Sequence, residues 1–432
     1  MDSIKIGLIG FGTIGSGVVK AIQERSSFLK KKIGVSLELK KIADKDILTP
    51  RNVKIEQGLL TQNVDEVLND PEIKIVIELV GGIHPAKEFI IKALQNGKHV
   101  VTANKALLAS EWDELFRVAD AKGVDIYFEA SVAGGIPIIK SLREGLVANE
   151  IQGIYGIVNG TANYILTQME ENKYEFRQAL AGAQEQGYAE KDPSLDIKGI
   201  DSAHKLVILA SLGFGMNVKL EDVYVEGIQD ISPSDIEYAS EFGYKIKLLA
   251  IAKKDENELE VRVHPTLLPN EHLLASVKGV YNAVYVVGDL VGKQLFYGQG
   301  AGQLPTSSAV VADVVDLAYN IKHGVRGRVP SITYDAKIKR IRKIEEIETG
   351  YYMRFSAIDR PGVLASIAGI LGKNNISIAS VIQKQRMREQ IVPIVLMSHD
   401  AKEANVRSAF NEIDSLPVIK RKSLALRIER KL

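Results

Sequence analysis

Apolar and polar positions repeat along this chain in strand-like and helix-like rhythms, and the order of the two outlines its domains. Ile4 to Ile9 is a short apolar run, followed by Gly10-Phe11-Gly12-Thr13-Ile14-Gly15 and an amphipathic helical stretch, VVKAIQERSSFL. A strand, a GxGxxG turn and a helix in that order form the dinucleotide fingerprint. Its glycines permit a tight turn and close approach to a pyrophosphate, which rests on the helix N-terminus. The next strand pattern runs from Val35 to Ala43 and ends in Asp44-Lys45-Asp46. An acid here would hold the ribose hydroxyls of NAD, and a base would pair with the 2′-phosphate of NADP. The chain offers Asp44 against Lys40, Lys41, Lys45 and Arg51, so either cofactor fits the pattern.

Asp65 to Asn69 reads as a short helix. Ile73 to Val80, IKIVIELV, is a nearly all-apolar strand of the kind covered on both faces in a parallel sheet, with Gly81-Gly82 at its C-terminal end. A helix, PAKEFIIKALQNG, precedes the strand KHVVTA and then Asn104-Lys105, which places Lys105 at the ligand-binding edge of the sheet or in solvent at a helix start. The helix Ala106 to Lys122 and the strand Val124 to Ala130 complete a βαβ series, a Rossmann-type domain. Glu129 closes that strand ahead of ASVAGGIP. A carboxylate before a Gly-rich turn can supply oxygens to a hard cation, or simply lead into the helix IIKSLREGL.

Ile151 to Val158 is again a strand, followed by Asn159-Gly160-Thr161-Ala162-Asn163-Tyr164 and a helix. That polar loop reads as a substrate contact or an N-cap. The helix FRQALAGAQEQG leads into GYAEKDPSLDIKGIDSAHK, Gly187 to Lys205, an acidic, glycine-punctuated loop and the densest cluster of candidate proton donors outside the N-terminal domain. Asp201 and Lys205 stand four apart on a starting helix and share one face; in isolation this reads as a surface ion pair. From Val218 to about Gly302 the pattern is rich in strands, with hairpins around Asp255-Glu256-Asn257 and Gly288-Asp289, an α+β second domain. A long helix, SSAVVADVVDLAYNIKHG, follows. Residues from about Gly324 to Gly350 are basic and irregular and read as a linker. The last eighty or so residues read βαββαβ, a ferredoxin-like unit. The expected division is a Rossmann domain at 1–135 with about 303–324, a substrate-binding and dimerisation domain at 136–302, a linker at 325–349 and a regulatory domain at 350–432.

Composition changes this picture mainly by exclusion. The chain has 432 residues, too many for one ordinary core, and 46% hydrophobic with 25% charged residues is a globular balance. A net charge of +1 argues against a general nucleic-acid-binding surface. No apolar run approaches the roughly 20 residues of a membrane span, and MDSIKIGLIGFG enters a strand directly without a signal-peptide layout, so the cytoplasm is expected. Cysteine is absent, which removes disulfides, thiolate metal sites and aldehyde oxidation through an enzyme thiol. The seven histidines are scattered with no HxxxH pair.

The motifs EASVAGGIP, GTANYIL, GYAEKDPSLDIKGIDSAHKL and YGQGAGQLPTSSAVVAD, in that order, resemble homoserine dehydrogenases, and the C-terminal segment resembles an ACT regulatory domain. The resemblance implies NAD(P)H-dependent reduction of L-aspartate 4-semialdehyde to L-homoserine (EC 1.1.1.3), on the route to threonine, methionine and isoleucine. It implies Lys205 as acid/base residue, Asp201 beside it, and Lys105 where nicotinamide and substrate meet. Glu190 would bind the substrate amine, with Gly187, Tyr188, Asp196 and Thr161 lining the same pocket. The cofactor, NADP(H) or NAD(H), would contact Gly10, Phe11, Gly12, Thr13, Ile14, Gly15, Asp44, Lys45, Gly81, Thr102, Lys105 and Gly302. A sodium ion would be held by Glu129 with the backbones of Val132, Gly134 and Ile136. Asp359-Arg360-Pro361-Gly362 and Asn374-Asn375-Ile376-Ser377 match the ACT ligand loops, for which threonine is the implied effector, and a homodimer or homotetramer is implied.

The chemistry agrees: hydride delivery to a carbonyl leaves an alkoxide-like oxygen that needs a proton and nearby positive charge, which a lysine can supply. The chain departs from the family in the long loop SSFLKKKIGVS before the second strand. Two competing readings are another Rossmann dehydrogenase, whose zinc form would need ligands missing here, and a cofactor-binding amino-acid sensor without turnover. Fusion to an aspartokinase is not expected, since the fingerprint begins at the N-terminus.

Overall fold

Six parallel strands frame the N-terminal half: β1 (Ser3–Ile9), β2 (Ser36–Ala43), β3 (Leu60–Thr61), β4 (Ile73–Glu78), β5 (His99–Thr102) and β6 (Ile126–Tyr127). In the computed structural model, which describes residues 3–330, 332, 337–384 and 390–430, their order is β3-β2-β1-β4-β5-β6. This is the doubly wound arrangement, and the order reverses between β1 and β4, where such sheets open a crevice at their C-terminal ends. The alternation is muted because both faces are covered: on β4, Ile75 and Ile77 point to one face and Val76 to the other, and all three are fully buried. The sheet lies in a unit made of Met1–Ile154, His204–Glu221 and Tyr281–Ala336.

Helices α1 (Thr13–Glu24), α2 (Ser26–Ile33), α3 (Asp65–Leu68), α4 (Ala86–Gln95) and α5 (Lys105–Lys122) connect the strands. The expected loop SSFLKKKIGVS is mostly α2, whose Leu29 and Ile33, four apart, enter the core before Gly34 ends it at φ 68°. Three consecutive lysines masked that spacing. The last strand is shorter than Val124 to Ala130, and Glu129 sits in a 3₁₀ turn, Glu129–Ser131, rather than at a strand end. A single turn, α6 (Ile138–Lys140), then widens into a π-helical turn over Ser141–Gly145. Strands β11 (Tyr281–Gly288) and β12 (Gly292–Gln299) form the expected hairpin. Helix α12 (Gln303–His323) returns to this unit, where Val310, Val314 and Leu317 join the core around β1 and α1.

The division between units falls within β7 (Ile151–Ile157) and α10 (Ile200–Phe214). The second unit holds α7 (Gly160–Asn172), α8 (Phe176–Glu185), α9 (Ser194–Ile197), β8 (Tyr224–Val225), α11 (Pro233–Glu241) and the long hairpin β9 (Tyr244–Asp255) and β10 (Glu258–Pro269). Helix α11 interrupts the stretch expected to be strand-rich. Ser232 and Asp235 form a reciprocal capping box with Pro233 in the first turn, enough to start a helix among strands.

Strands β14 (Glu348–Ile358), β15 (Ile378–Ile382), β16 (Ile391–Ser398) and β18 (Ile419–Ile428) combine with α13 (Val363–Lys373) and α14 (Glu403–Asp414), plus a two-residue β17 (Ala401–Lys402). The order β18-β14-β16-β15 is ferredoxin-like, as expected. This sheet is continuous with the hairpin, because β18 pairs with β10 through Thr266↔Arg427 and Leu267↔Ile428. The expected linker 325–349 is partly built in. Arg340 and Ile341 form β13 against β10, and Arg340 and Arg342 pair with Glu258 at 2.6 and 2.8 Å. The rest of that stretch includes residues 331 and 333–336, outside the described residues. Among the described residues no helix is long and apolar enough to cross a membrane.

Candidate active site

The fingerprint turn lies at the C-terminal end of β1, and steric limits explain its glycines. Gly10 has φ 100°, and a Cβ there would lie 2.7 Å from the Leu79 carbonyl group. A Cβ at Gly15 would sit 2.1 Å from the Gly10 carbonyl oxygen, whereas one at Gly12 would meet nothing within 4 Å, leaving the backbone open to a pyrophosphate. Thr13 and Ile14 begin α1, with Gly12 as its N-cap and no side-chain hydrogen bond from the cap. The carboxylate of Asp44 accepts the N–H of Phe11 and also that of Asp46, at 2.8 Å. Arg51 donates to the Phe11 carbonyl at 3.0 Å and lies over the Phe11 ring. Of the other cations near this strand end, Lys40 pairs with Asp70 and Lys41 with Glu66, while Lys45 is exposed.

Gly81 and Thr102 are fixed by a residue that was not singled out in the sequence. Glu78, fully buried at the end of β4, accepts from Thr102 Oγ1 and Val80 N at 2.7 Å and from Gly81 N at 3.3 Å. A lone acid closing the apolar run IKIVIELV was the available signal. Asn104 donates to the Gly82 carbonyl at 2.6 Å and caps α5, of which half-buried Lys105 is the first residue. Gly302 is the N-cap of α12 at φ 121°. The next residue, Gln303, reaches Thr13 O at 2.9 Å, and Ser307 reaches Ile14 O at 3.2 Å, so α12 stitches the first turn of α1 in place.

Glu129 is 5% exposed, and its oxygens accept the N–H groups of Ile139 and Lys140 at 2.8 Å each, so it caps the helical turn of α6. Its own N–H donates to Asp313 at 2.8 Å. Burial pushes its carboxyl up to about 7 despite those bonds, and pushes that of Asp313 well above the usual range. Val132 and Ile136 are buried, Gly134 packs against the Gly300 carbonyl, and the Ile136 carbonyl accepts from Ile138 N at 2.8 Å. The Glu129 carboxylate is a hard oxygen donor of the kind a cation takes, and both its oxygens already accept backbone N–H groups. No cluster of three His, Cys, Asp or Glu that could cage a metal occurs among the described residues.

In the second unit, Asn159 caps α7 through Oδ1, accepting from Ala162 N at 2.7 Å. Its amide nitrogen donates to Asp196 Oδ1 at 2.7 Å and to Asp201 Oδ2 at 2.8 Å. Thr161 Oγ1 donates to the Tyr188 carbonyl at 2.6 Å, and the Tyr188 ring lies 5.0 Å from that of Tyr164. Gly187 turns the chain at φ 72°. The carbonyl of Glu190, an exposed residue, accepts from Gln184 at 3.2 Å. Asp192 is tied to the start of α9 through the Ser194 hydroxyl and N–H, which lowers its pKa and gives this residue a local role. Thr161, Tyr188, Asp196 and Asp201 are thereby brought into one bonded set with Asn159 and α7.

Asp201 and Lys205 lie one turn apart on α10 and are 8% and 9% exposed. The surface-pair reading fails on that burial. The helix they start continues as the apolar LVILASLGF, and its burial takes both charges with it.

Comparisons with known proteins follow this geometry along the whole chain. The family profile described as homoserine dehydrogenase matches residues 137–315, its NAD-binding domain matches 10–129, and an ACT domain matches 351–418. The homoserine dehydrogenase of Pseudomonas aeruginosa is 43% identical over 436 residues, covering 100% of both chains. That of Bacillus subtilis is 40% identical, covering 99% of each. The crystal structure of a homoserine dehydrogenase from Thiobacillus denitrificans superposes with a TM-score of 0.92 at 44% identity, over 100% of this chain and 99% of that one. A hyperthermophilic archaeal homoserine dehydrogenase in complex with NADPH gives a TM-score of 0.63 at 29% identity, over 73% of this chain and 97% of that one. In sequence over its full length and in fold, this chain belongs to the homoserine dehydrogenase family, nicotinamide-dependent oxidoreductases acting on CH–OH groups.

Proposed function

We propose that this protein reduces L-aspartate 4-semialdehyde to L-homoserine, in the biosynthesis of threonine and methionine. The observation that carries the reading is a buried carboxylate–amine pair, Asp201 and Lys205, one turn apart on a helix whose first turn is tied to a loop that holds Thr161 and Tyr188. A nicotinamide, when bound at Gly10 to Gly15, Asp44, Lys45, Gly81, Thr102, Lys105 and Gly302, supplies the hydride to the aldehyde carbon. The C=O electron pair then moves onto oxygen, and Lys205 gives that oxygen its proton, leaving the alcohol. Lys105 adds positive charge beside the developing alkoxide, and Asp201 orients Lys205. Glu190 takes the substrate ammonium, with Gly187, Tyr188, Asp196 and Thr161 around it. Glu129 with the carbonyls of Val132, Gly134 and Ile136 would hold sodium, whose charge offsets the buried carboxylate; no chemical step depends on it. A positioned proton donor contributes about 10²–10⁴-fold. NADPH oxidation at the nicotinamide band with aspartate semialdehyde should therefore fall by at least about 10²-fold in Lys205→Ala. An unimpaired variant removes Lys205 from the mechanism, and an inactive wild type removes the substrate assignment.

The finer features belong to the same proposal: three functional parts divided at 1–135 with 303–324, 136–302 and 350–432, a homodimer or homotetramer, a cytoplasmic location, and threonine feedback through the ACT segment. A short path of contacts supports the feedback. Arg427 binds Glu403 of α14 and Glu226 next to β8, at 2.6 and 2.8 Å. Two residues on, Ile228 N donates to the Ile197 carbonyl at 2.9 Å, adjacent to Asp196. Threonine that alters neither activity nor thermal stability would remove the regulatory part.

A further inference from the structure

Asn159 is where the polar loop after β7, the short helix α9 and the start of α10 are joined through one side chain. A primary amide has two N–H donors, and both are committed, to Asp196 at 2.7 Å and Asp201 at 2.8 Å. Its oxygen is engaged by Ala162 N at 2.7 Å. With no donor left over, Asn159 does not offer a hydrogen bond to a substrate. It is 5% exposed, so water does not readily replace either bond. The next residue is pinned as well: a Cβ at Gly160 would lie 2.8 Å from the Val280 carbonyl oxygen, which keeps the loop from shifting to follow a changed side chain.

We propose that Asn159 is a positioning residue for the reduction, holding the Asp196 and Asp201 carboxylates at a fixed separation and orientation. The inference rests on the roles proposed above for Asp201 beside Lys205 and for Asp196 at the substrate. Two carboxylates drawn to one point repel, and some donor must offset that repulsion. A cationic side chain would do so by neutralising them and would compete with Lys205 for Asp201. A neutral amide places a hydrogen bond on each while leaving their charge available. Asparagine, with two donors on one nitrogen, meets this requirement and caps α7 at the same time.

The cap and the positioning role separate experimentally, because serine and aspartate both cap helices well. Asn159→Ser keeps a capping oxygen but has one short donor that cannot span two carboxylates. Asn159→Asp keeps the shape and replaces both donors with acceptors. Asn159→Ser should keep the wild-type KM for NADPH and lose less Tm than Asn159→Ala, while Asn159→Asp, which sets a third carboxylate beside two buried ones, should lose Tm as well. Their kcat with aspartate semialdehyde should fall about 10²-fold, the scale of a small misplacement in a catalytic site. Asn159→Ala, which loses the cap too, should lose Tm as well as kcat. Two results overturn the proposal: kcat within twofold of wild type in the serine and aspartate variants, or a fall in kcat that appears only alongside an equal fall in Tm in all three. A crystal structure of Asn159→Ser tests the geometry independently of the substrate. Displaced Asp196 and Asp201 carboxylates support the role, and unmoved ones refute it even if the wild type proves to act on another aldehyde.

Discussion

Replacing Arg427 by methionine should destabilise the second unit by about 3 kcal/mol at pH 7, near the lower end of what stranding a buried charge costs. The arginine Nε and Nη2 bind the two Glu403 oxygens at 2.8 and 2.6 Å, and Nη1 binds Glu226 at 2.8 Å. The Glu403 side chain is 4% exposed and that of Glu226 33%, so Glu403 bears the loss while Glu226 regains water. Methionine preserves the apolar stem and its packing, which isolates the charge. Two partners remain to Glu403, the Tyr351 hydroxyl at 2.9 Å and the half-exposed Arg407 at 3.0 Å, and these place the expectation at the low end. Burial by itself pushes the Glu403 carboxyl up, but the Arg427 guanidinium outweighs it and holds the group below the usual glutamate value. In the native protein, stability from Glu403 is therefore present above its unfolded pKa and lost as pH falls through the lowered folded one. In the variant burial wins, the folded carboxyl binds its proton more readily than the unfolded one, and the deficit shrinks as pH falls from 7 to 5. Urea unfolding followed by far-UV circular dichroism at both pH values measures this. The double variant Arg427→Met/Glu403→Gln, with no stranded charge, should be more stable than Arg427→Met alone. A deficit under about 1 kcal/mol at pH 7, or one unchanged at pH 5, would refute the reasoning, since breaking a buried pair should cost more than that.

Two other outcomes follow from the first unit. Because burial raises the Glu129 carboxyl from 4.5 to about 7, the folded state binds more protons than the unfolded one in that window. Stability should then decline by about 3 kcal/mol in total as pH rises from about 4.5 to about 7. Thermal denaturation should show that decline flattened in Glu129→Gln, and reduced by sodium over potassium in the wild type; a slope unchanged in Glu129→Gln refutes the assignment. Asp44 is tied to the fingerprint backbone and Arg51 lies beside it, so Arg51→Ala should raise the KM for NADPH about tenfold while changing that for NADH less, a charged contact being worth about 1.4 kcal/mol or more. Equal effects on both cofactors would place Arg51 outside the 2′-phosphate site.

Much of this molecule is decided by local sequence. The apolar run from Ile4, the GxGxxG turn and the buried strand IKIVIELV specify a parallel sheet with a nucleotide end, because both-face burial and a glycine turn leave a pattern in consecutive residues. The hairpin at Glu256-Asn257 and the βαββαβ order of the C-terminal segment are local in the same way. Helices α2 and α11 escaped because lysines diluted the apolar spacing of one and a short capping box started the other amid strands. What only the tertiary structure decides is the environment of each charge. In sequence, Asp201 and Lys205 are a helical ion pair like many on protein surfaces; burial at 8% and 9% comes from the apolar helix that follows them and the segments packed around it. Glu78 beneath Gly81 and Thr102, Gln303 on the first turn of α1, and Asn159 between two aspartates are contacts across tens to hundreds of residues. Hydrogen bonds are directional and short, so residue type and spacing name the candidates, and only the folded chain brings a particular donor within 3 Å of a particular acceptor.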